Sequence, residues 1–288
     1  MKISISFLLL IAHVGFAQDD LLKELEQSES KPEAVTATFK GSRLVNGQTI
    51  ETRHKGELEF IFAHRFGAVN GGAYELFGLD QAFVRIGLEY GFTDKLSAGF
   101  GRNSVDKTMD AYLRYKLISQ KQNGMPVTIT VFTNAAVRVS PRKADATYDI
   151  ALEDRMSYTT QFLIARKFTP ALSLQVMPTL VHRNTVDQSK EKNSQVALGF
   201  GGRLKVSRSV SLNTEYYHRV GVPAANEYYN ALGFGIDIET GGHVFQLVLT
   251  NTRGLTERAF LTETGGNFFD GDIHLGFNVT RSFQVKKK

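Results

Sequence analysis

The run from Asp272 to Phe283 alternates with one exception, Arg281: Ile273, Leu275, Phe277, Val279, Arg281 and Phe283 against Asp272, His274, Gly276, Asn278, Thr280 and Ser282. A period of two held over this length requires a strand with one apolar and one polar face. A tilted strand crosses a bilayer in about 9–11 residues, so this one is long enough to span. No segment approaches the roughly 20 apolar residues of a spanning helix. The solution left open is all-β: an antiparallel transmembrane β-barrel, where half of every strand can be polar. A mean hydropathy of −0.18 is compatible with that.

Residues 1–17 read as a signal peptide, with Lys2, an apolar stretch from Ile3 to Val14, and Gly15-Phe16-Ala17 before a cleavage point at Gln18. There is no cysteine, which removes disulfides and thiolate metal sites. There is no tryptophan either, so an interfacial belt must come from 10 Tyr and 21 Phe. The net charge of +5 is scattered, with no basic stripe interleaved by aromatics, and suggests no nucleic-acid partner.

Twelve alternating segments are predicted as strands: 57–66, 82–91, 96–102, 106–117, 127–139, 156–168, 172–183, 194–206, 210–218, 230–238, 243–251 and 272–283. Short connections (92–95, 169–171, 207–209, 239–242) interleave with long ones (67–81, 140–155, 184–193, 219–229, 252–271). That asymmetry belongs to outer-membrane barrels, whose short turns face the periplasm. Two connections blur it: 103–105 is short on the long side, and 118–126 is long on the short side. A thirteenth strand at Thr36 to Leu44 would break antiparallel closure, so that stretch belongs in the periplasm, in the lumen or over the lower mouth. The expected organisation is signal peptide 1–17, periplasmic leader 18–56 that could act as plug or lid, barrel 57–285 and basic tail 286–288. Within the leader, Asp19 to Glu33 is either a short amphipathic helix or a disordered segment.

The inward parity collects the candidate lumen-lining residues: Glu57, Glu59, Arg65, Arg85, Glu89, Asp110, Arg114, Lys116, Arg138, Arg203, Lys205, Glu215, Asp237, Asp272 and His274. Both signs occur, and a charge isolated in a narrow lumen is costly, so the groups should pair across strands. They make either a selectivity filter or a salt-bridged interior that holds the barrel round. Glycines share this parity in Gly99-Phe100-Gly101, Gly199-Phe200-Gly201 and Gly233-Phe234-Gly235, leaving bare wall where a plug, loop or ligand could approach. In the first long loop, Tyr74, Leu76, Phe77 and Leu79 are apolar, and the expectation is that they fold inward as a constriction or dock on a partner. His64, His182 and His218 fall outward on separate strands and suggest no metal cluster. His274 beside Asp272 raises a Ser-His-Asp arrangement, but no nucleophile elbow accompanies it, and no catalysis and no cofactor are expected.

The runs Phe62-Ala63-His64-Arg65-Phe66-Gly67, Tyr74 to Ala82, Arg85 to Gly91 and Thr93-Asp94, with Arg43-Leu44-Val45-Asn46-Gly47 upstream, resemble a family of Gram-negative outer-membrane β-barrels of unknown function. The resemblance covers nearly the whole mature chain and implies an exported barrel without assigning an activity. One departure is that Gln284, Val285 and three lysines follow the terminal aromatic Phe283. The implied surroundings are outer-membrane lipid, lipopolysaccharide and the barrel-insertion machinery. The functional expectation is a narrow or gated channel for a small polar solute. The alternatives are a non-conducting structural or partner-docking barrel and a barrel enzyme acting on lipid.

Overall fold

A computed structural model describes residues 33–139 and 151–285. The predicted signal peptide, the leader up to residue 32, part of the connection before 156 and the basic tail lie outside the described residues. Twelve strands form: β1 (Glu57–Ala68), β2 (Ala82–Gly91), β3 (Leu96–Asn103), β4 (Thr108–Ile118), β5 (Thr128–Arg138), β6 (Met156–Lys167), β7 (Leu172–Arg183), β8 (Ser194–Lys205), β9 (Val210–Val220), β10 (Leu232–Thr240), β11 (His243–Thr250) and β12 (His274–Gln284). Each pairs antiparallel with its sequence neighbour, and β1 pairs with β12, so the sheet closes into a barrel. The seam runs from Glu57 opposite Gln284 to Ala68 opposite His274, with one irregularity between Arg65 and Ala68. Among the described residues one α-helix, α1 (Glu257–Thr262), lies in the connection between β11 and β12.

Every strand expected from alternation occurs, with ends displaced by two residues at most. The outward positions carry exposed apolar side chains around the whole circumference, among them Ile86, Phe100, Leu113, Phe162, Leu180, Phe200, Leu212, Phe234, Leu247 and Leu275. In water such a belt would drive association; against hydrocarbon it is the favourable surface. Alternation fades in β6 because Leu163 and Ala165 are apolar yet buried inside, while Phe162 faces out.

The interior has two unlike walls. On β4 to β9 the inward Tyr112, Phe132, Leu163, Met177, Val181, Ala197 and Tyr217 form one apolar cluster with Phe39, Leu44 and Ile50 of the N-terminal segment and Phe260 and Leu261 of α1. On β1 to β4 the inward face gathers the charges Glu59, Arg65, Arg85, Glu89, Asp110 and Arg114, all buried, with Ile61 and Ala63 between them. The long turn 119–127 has a use, because Val35 N donates to the Gln120 carbonyl (2.8 Å) and Gln122 N to the Glu33 carbonyl (2.9 Å). It receives the chain just before it enters the barrel.

Candidate functional site

The site is the barrel interior, closed from both ends by its own chain. Residues 38–53 enter from the short-turn end, reverse at Arg43–Gln48 and leave towards β1. This segment is irregular, so its backbone groups need outside partners. Strand side chains supply them. Glu215 on β9 accepts from Val45 N (3.1 Å), Asn46 N (2.8 Å) and Gly47 N (3.0 Å), which wraps the turn around one carboxylate. Gln246 donates to the Leu44 carbonyl (2.7 Å) and Asn278 to the Val45 carbonyl (3.0 Å). Gln175 accepts from Ile50 N (3.0 Å) and donates to the Gln48 carbonyl (2.8 Å). Thr130 donates to the Ile50 carbonyl (3.0 Å) and Arg114 to the Glu51 carbonyl. The glycines make the fit possible. A Cβ on Gly47 would lie 2.0 Å from the Tyr217 hydroxyl, one on Gly201 2.2 Å from Leu44, and one on Gly233 3.0 Å from Val45.

From the other end, residues 252–264 fold down with every α1 side chain buried. Phe260 packs on Tyr217, ring centroids 5.4 Å apart. The two inserted pieces meet at Glu257, which accepts from Arg43 (3.2 Å) and Gln48 (2.5 Å). Above them, Glu263 gathers three guanidinium groups: Arg258 (2.5 Å), Arg183 (3.2 Å) and Arg138. Asp106 shares Arg258 (2.9 Å) and Arg138 (3.6 Å). Burial pulls the Arg258 pKa below its ordinary value, with Glu263 acting against that fall. This clasp forms the floor of a vestibule of about 800 Å³ at the long-loop end, lined also by Asp187, Glu191, Tyr228, Arg253 and His274. Bonds from Ser189 hold the Asp187 carboxyl below its usual range, so it stays ionised.

On the charged wall every deep group except Arg65 has a partner of opposite charge. Arg85 makes two bonds to Asp110 (2.6 and 3.1 Å). Glu89 is 3.4 Å from Arg114 and accepts from Ser97 (2.6 Å) and Tyr112 (3.0 Å). Arg53, rising from the inserted segment, reaches Glu59 (3.1 Å), which also accepts from Ser42 (2.6 Å). Burial opposes the Arg53 charge, but Glu59, Glu89, Glu57 and Glu51 outweigh it and hold the guanidinium above its ordinary pKa. Arg203 and Lys40 share Glu239, each at 3.0 Å. Asp237 accepts from Gln246 (2.6 Å).

Of the residues picked out by parity, Glu59, Arg65, Arg85, Glu89, Asp110, Arg114, Arg203, Glu215, Asp237 and His274 are buried within the barrel. Glu57 and Lys116 are half-buried towards the short-turn end, Lys116 lying 3.8 Å from Glu51. Arg138 reaches up into the vestibule. Two expectations need correction. Lys205 is exposed, because it is the last residue of β8 and clears the rim. Asp272 precedes β12 and belongs to the loop, where it accepts from Asn70 (2.5 Å) and Asn267 N (2.8 Å). His274 Nδ1 bonds the Phe66 carbonyl instead (2.9 Å), so Asp272 does not orient the imidazole as a catalytic triad requires.

The inward constriction is also corrected. Tyr74 is 96% exposed, and Leu76, Phe77 and Leu79 are exposed as well. Gly78 packs so closely on the end of β1 that a Cβ there would lie 2.4 Å from the Gly67 carbonyl oxygen. The apolar loop that does enter is 252–264, with Leu255, Ala259, Phe260 and Leu261 buried. Sequence reasoning also passed over Gln175, Gln246 and Asn278, because only ionisable groups were gathered from the inward parity.

A search of curated proteins finds no relative. Among solved structures the chain is similar to the KdgM porin, at 9% identity and a TM-score of 0.48, covering 79% of this chain and 99% of that one. It is also similar to an outer membrane channel from Pseudomonas putida F1, at 13% identity and a TM-score of 0.44, covering 81% and 98%. The pattern of a membrane bound beta barrel domain of unknown function, DUF5777, matches residues 39–283, from the inserted segment through β12. The chain belongs to this family of membrane-bound β-barrels.

Proposed function

We propose that the protein is a gated channel for a small polar solute in the outer membrane of a Gram-negative bacterium, with its long loops outside and its short turns in the periplasm. One observation carries the reading: what fills the lumen is a terminal segment and a loop, both of which can leave without breaking the sheet. Twelve strands lie between the filled eight-stranded barrel and the open porins of sixteen or more, so the bore released is narrow. The solute's route follows β1 to β4, where Glu59, Arg85, Glu89, Asp110 and Arg114 would line it, and not the apolar wall opposite. Rings of both signs along one wall suit a zwitterionic or uncharged polar solute better than a simple ion.

Single-channel conductance of four refolded proteins tests this: the mature chain, a chain starting at Glu57, one with 255–262 replaced by a short polar linker, and one with both changes. The mature chain should stay closed or flicker, and removing both segments together should give steady openings. A doubly trimmed protein that forms a barrel and still fails to conduct would refute the channel. A docking role would then be the better reading, favoured by the exposed Tyr74, Leu76, Phe77 and Leu79 and by Phe269, 88% exposed.

A further inference from the structure

Where the inserted segment, the charged wall and the descending loop converge, the barrel encloses a small cavity of about 10 Å³. That is room for roughly one water-sized particle. Its lining includes Arg43 from the segment, Arg65 and Arg85 from β1 and β2, Leu255 from the loop, and the amides of Asn46 and Asn278. The three arginines are buried, and each retains a buried nitrogen with no protein acceptor: Nη2 of Arg43, Nε of Arg65 and Nη1 of Arg85. Arg43 is paired with Glu257 and Arg85 with Asp110, whereas Arg65 touches no carboxylate among the described residues. Glu215, which offsets Arg65 across the turn, is occupied by three backbone N–H groups.

We propose that this cavity is a binding site for a monatomic anion of chloride size. A buried cationic N–H left without an acceptor is costly, and three around one cavity should not persist unanswered. The available acceptors are already committed, since Asn46 Oδ1 and Asn278 Oδ1 each accept from Arg65 at 2.9 Å. A water molecule could accept from two of the donors, but its own hydrogens would then point at guanidinium groups. A halide can accept N–H bonds from several directions at once and has no hydrogen to place. Sulfate, phosphate or a carboxylate ligand is too large for the volume. Because the donors come from both an inserted piece and the wall, the bound anion ties the segment to the barrel and stabilises the closed form. Whether the barrel conducts does not enter this argument.

Crystals of the mature protein grown in bromide provide the test. An anomalous peak in this cavity is expected; a peak elsewhere, or density there without anomalous signal, overturns the proposal. A solution measurement runs alongside: the urea unfolding midpoint in sodium chloride against sodium gluconate at equal ionic strength. It should be higher in chloride for the wild type, and Arg65→Met should lose that difference. Equal midpoints for the wild type in the two salts overturn the proposal as well, and neither wild-type measurement depends on the variant folding.

Discussion

The two pieces that close the lumen share one apolar cluster and differ in what else holds them. Residues 38–53 are held by hydrogen bonds to their backbone, donated and accepted by Glu215, Gln175, Gln246, Asn278 and Thr130 deep in the barrel. Residues 252–264 are held by apolar side chains beneath and by a clasp on Glu263 at the vestibule floor. Buried hydrogen bonds are little affected by salt, whereas charge pairs near water are screened, with a Debye length of about 10 Å at 0.1 M. The comparison makes the outer loop the piece that moves first and the N-terminal segment the stationary one.

The largest effect should come from Glu215→Ala. Three buried N–H groups would lose their acceptor together, at a cost on the order of 3 kcal/mol or more. Hydrogen exchange at residues 44–50 should rise sharply while 257–262 stays protected. Equal loss in both pieces would show that they are one cooperative unit and would break the comparison.

Next is Gly47→Ala, whose Cβ would meet the Tyr217 hydroxyl at 2.0 Å. Tyr217 is fully buried, and its hydroxyl donates to Met177 Sδ (3.1 Å), so it cannot give way freely. Overpacking of this kind costs about 1–3 kcal/mol. Tyr217→Phe in the same chain should recover part of the loss, read as the urea midpoint. No recovery would place the strain at Glu215 instead, 3.2 Å from the same Cβ position.

On the other side, Glu263→Gln should loosen the outer loop by about 1 kcal/mol or more, because the clasp joins one half-exposed guanidinium, Arg138, to two nearly buried ones, Arg258 and Arg183. Exchange at 257–262 should increase, and 1 M salt should reproduce most of the effect in the wild type. Salt sensitivity confined to 44–50 would reverse the assignment of mobile and stationary pieces.

The barrel itself was legible because alternation is a local property: β12 reveals its two faces in eleven residues. The pairing of charges was legible in kind, since isolated lumen charges are too costly, but the partners were not. Arg85 with Asp110 follows from neighbouring strands, whereas Arg53 with Glu59 requires knowing that the segment folds back inside. The choice of loop was not legible at all. Tyr74 to Leu79 and Leu255 to Leu261 look alike as apolar patches in long connections. What separates them is tertiary: Gly78 against the end of β1 in one case, and Tyr217 offering a face to Phe260 in the other.

The smallest effect sharpens that last contrast. Leu76 and Phe77 hold left-handed backbone angles, φ 47° and 54°, which cost an ordinary residue on the order of 1 kcal/mol each. Phe77→Gly removes one such strain and an exposed ring together, so it should leave barrel stability unchanged or raise it slightly. Because this loop stands clear of the lumen, the variant should also leave untouched the closure that Glu215→Ala and Glu263→Gln disturb. Conductance and exchange at 44–50 and 257–262 should match the wild type. Any opening caused by Phe77→Gly would mean that the first loop reaches the mouth after all, and the division of labour between the two inserted pieces would have to include a third.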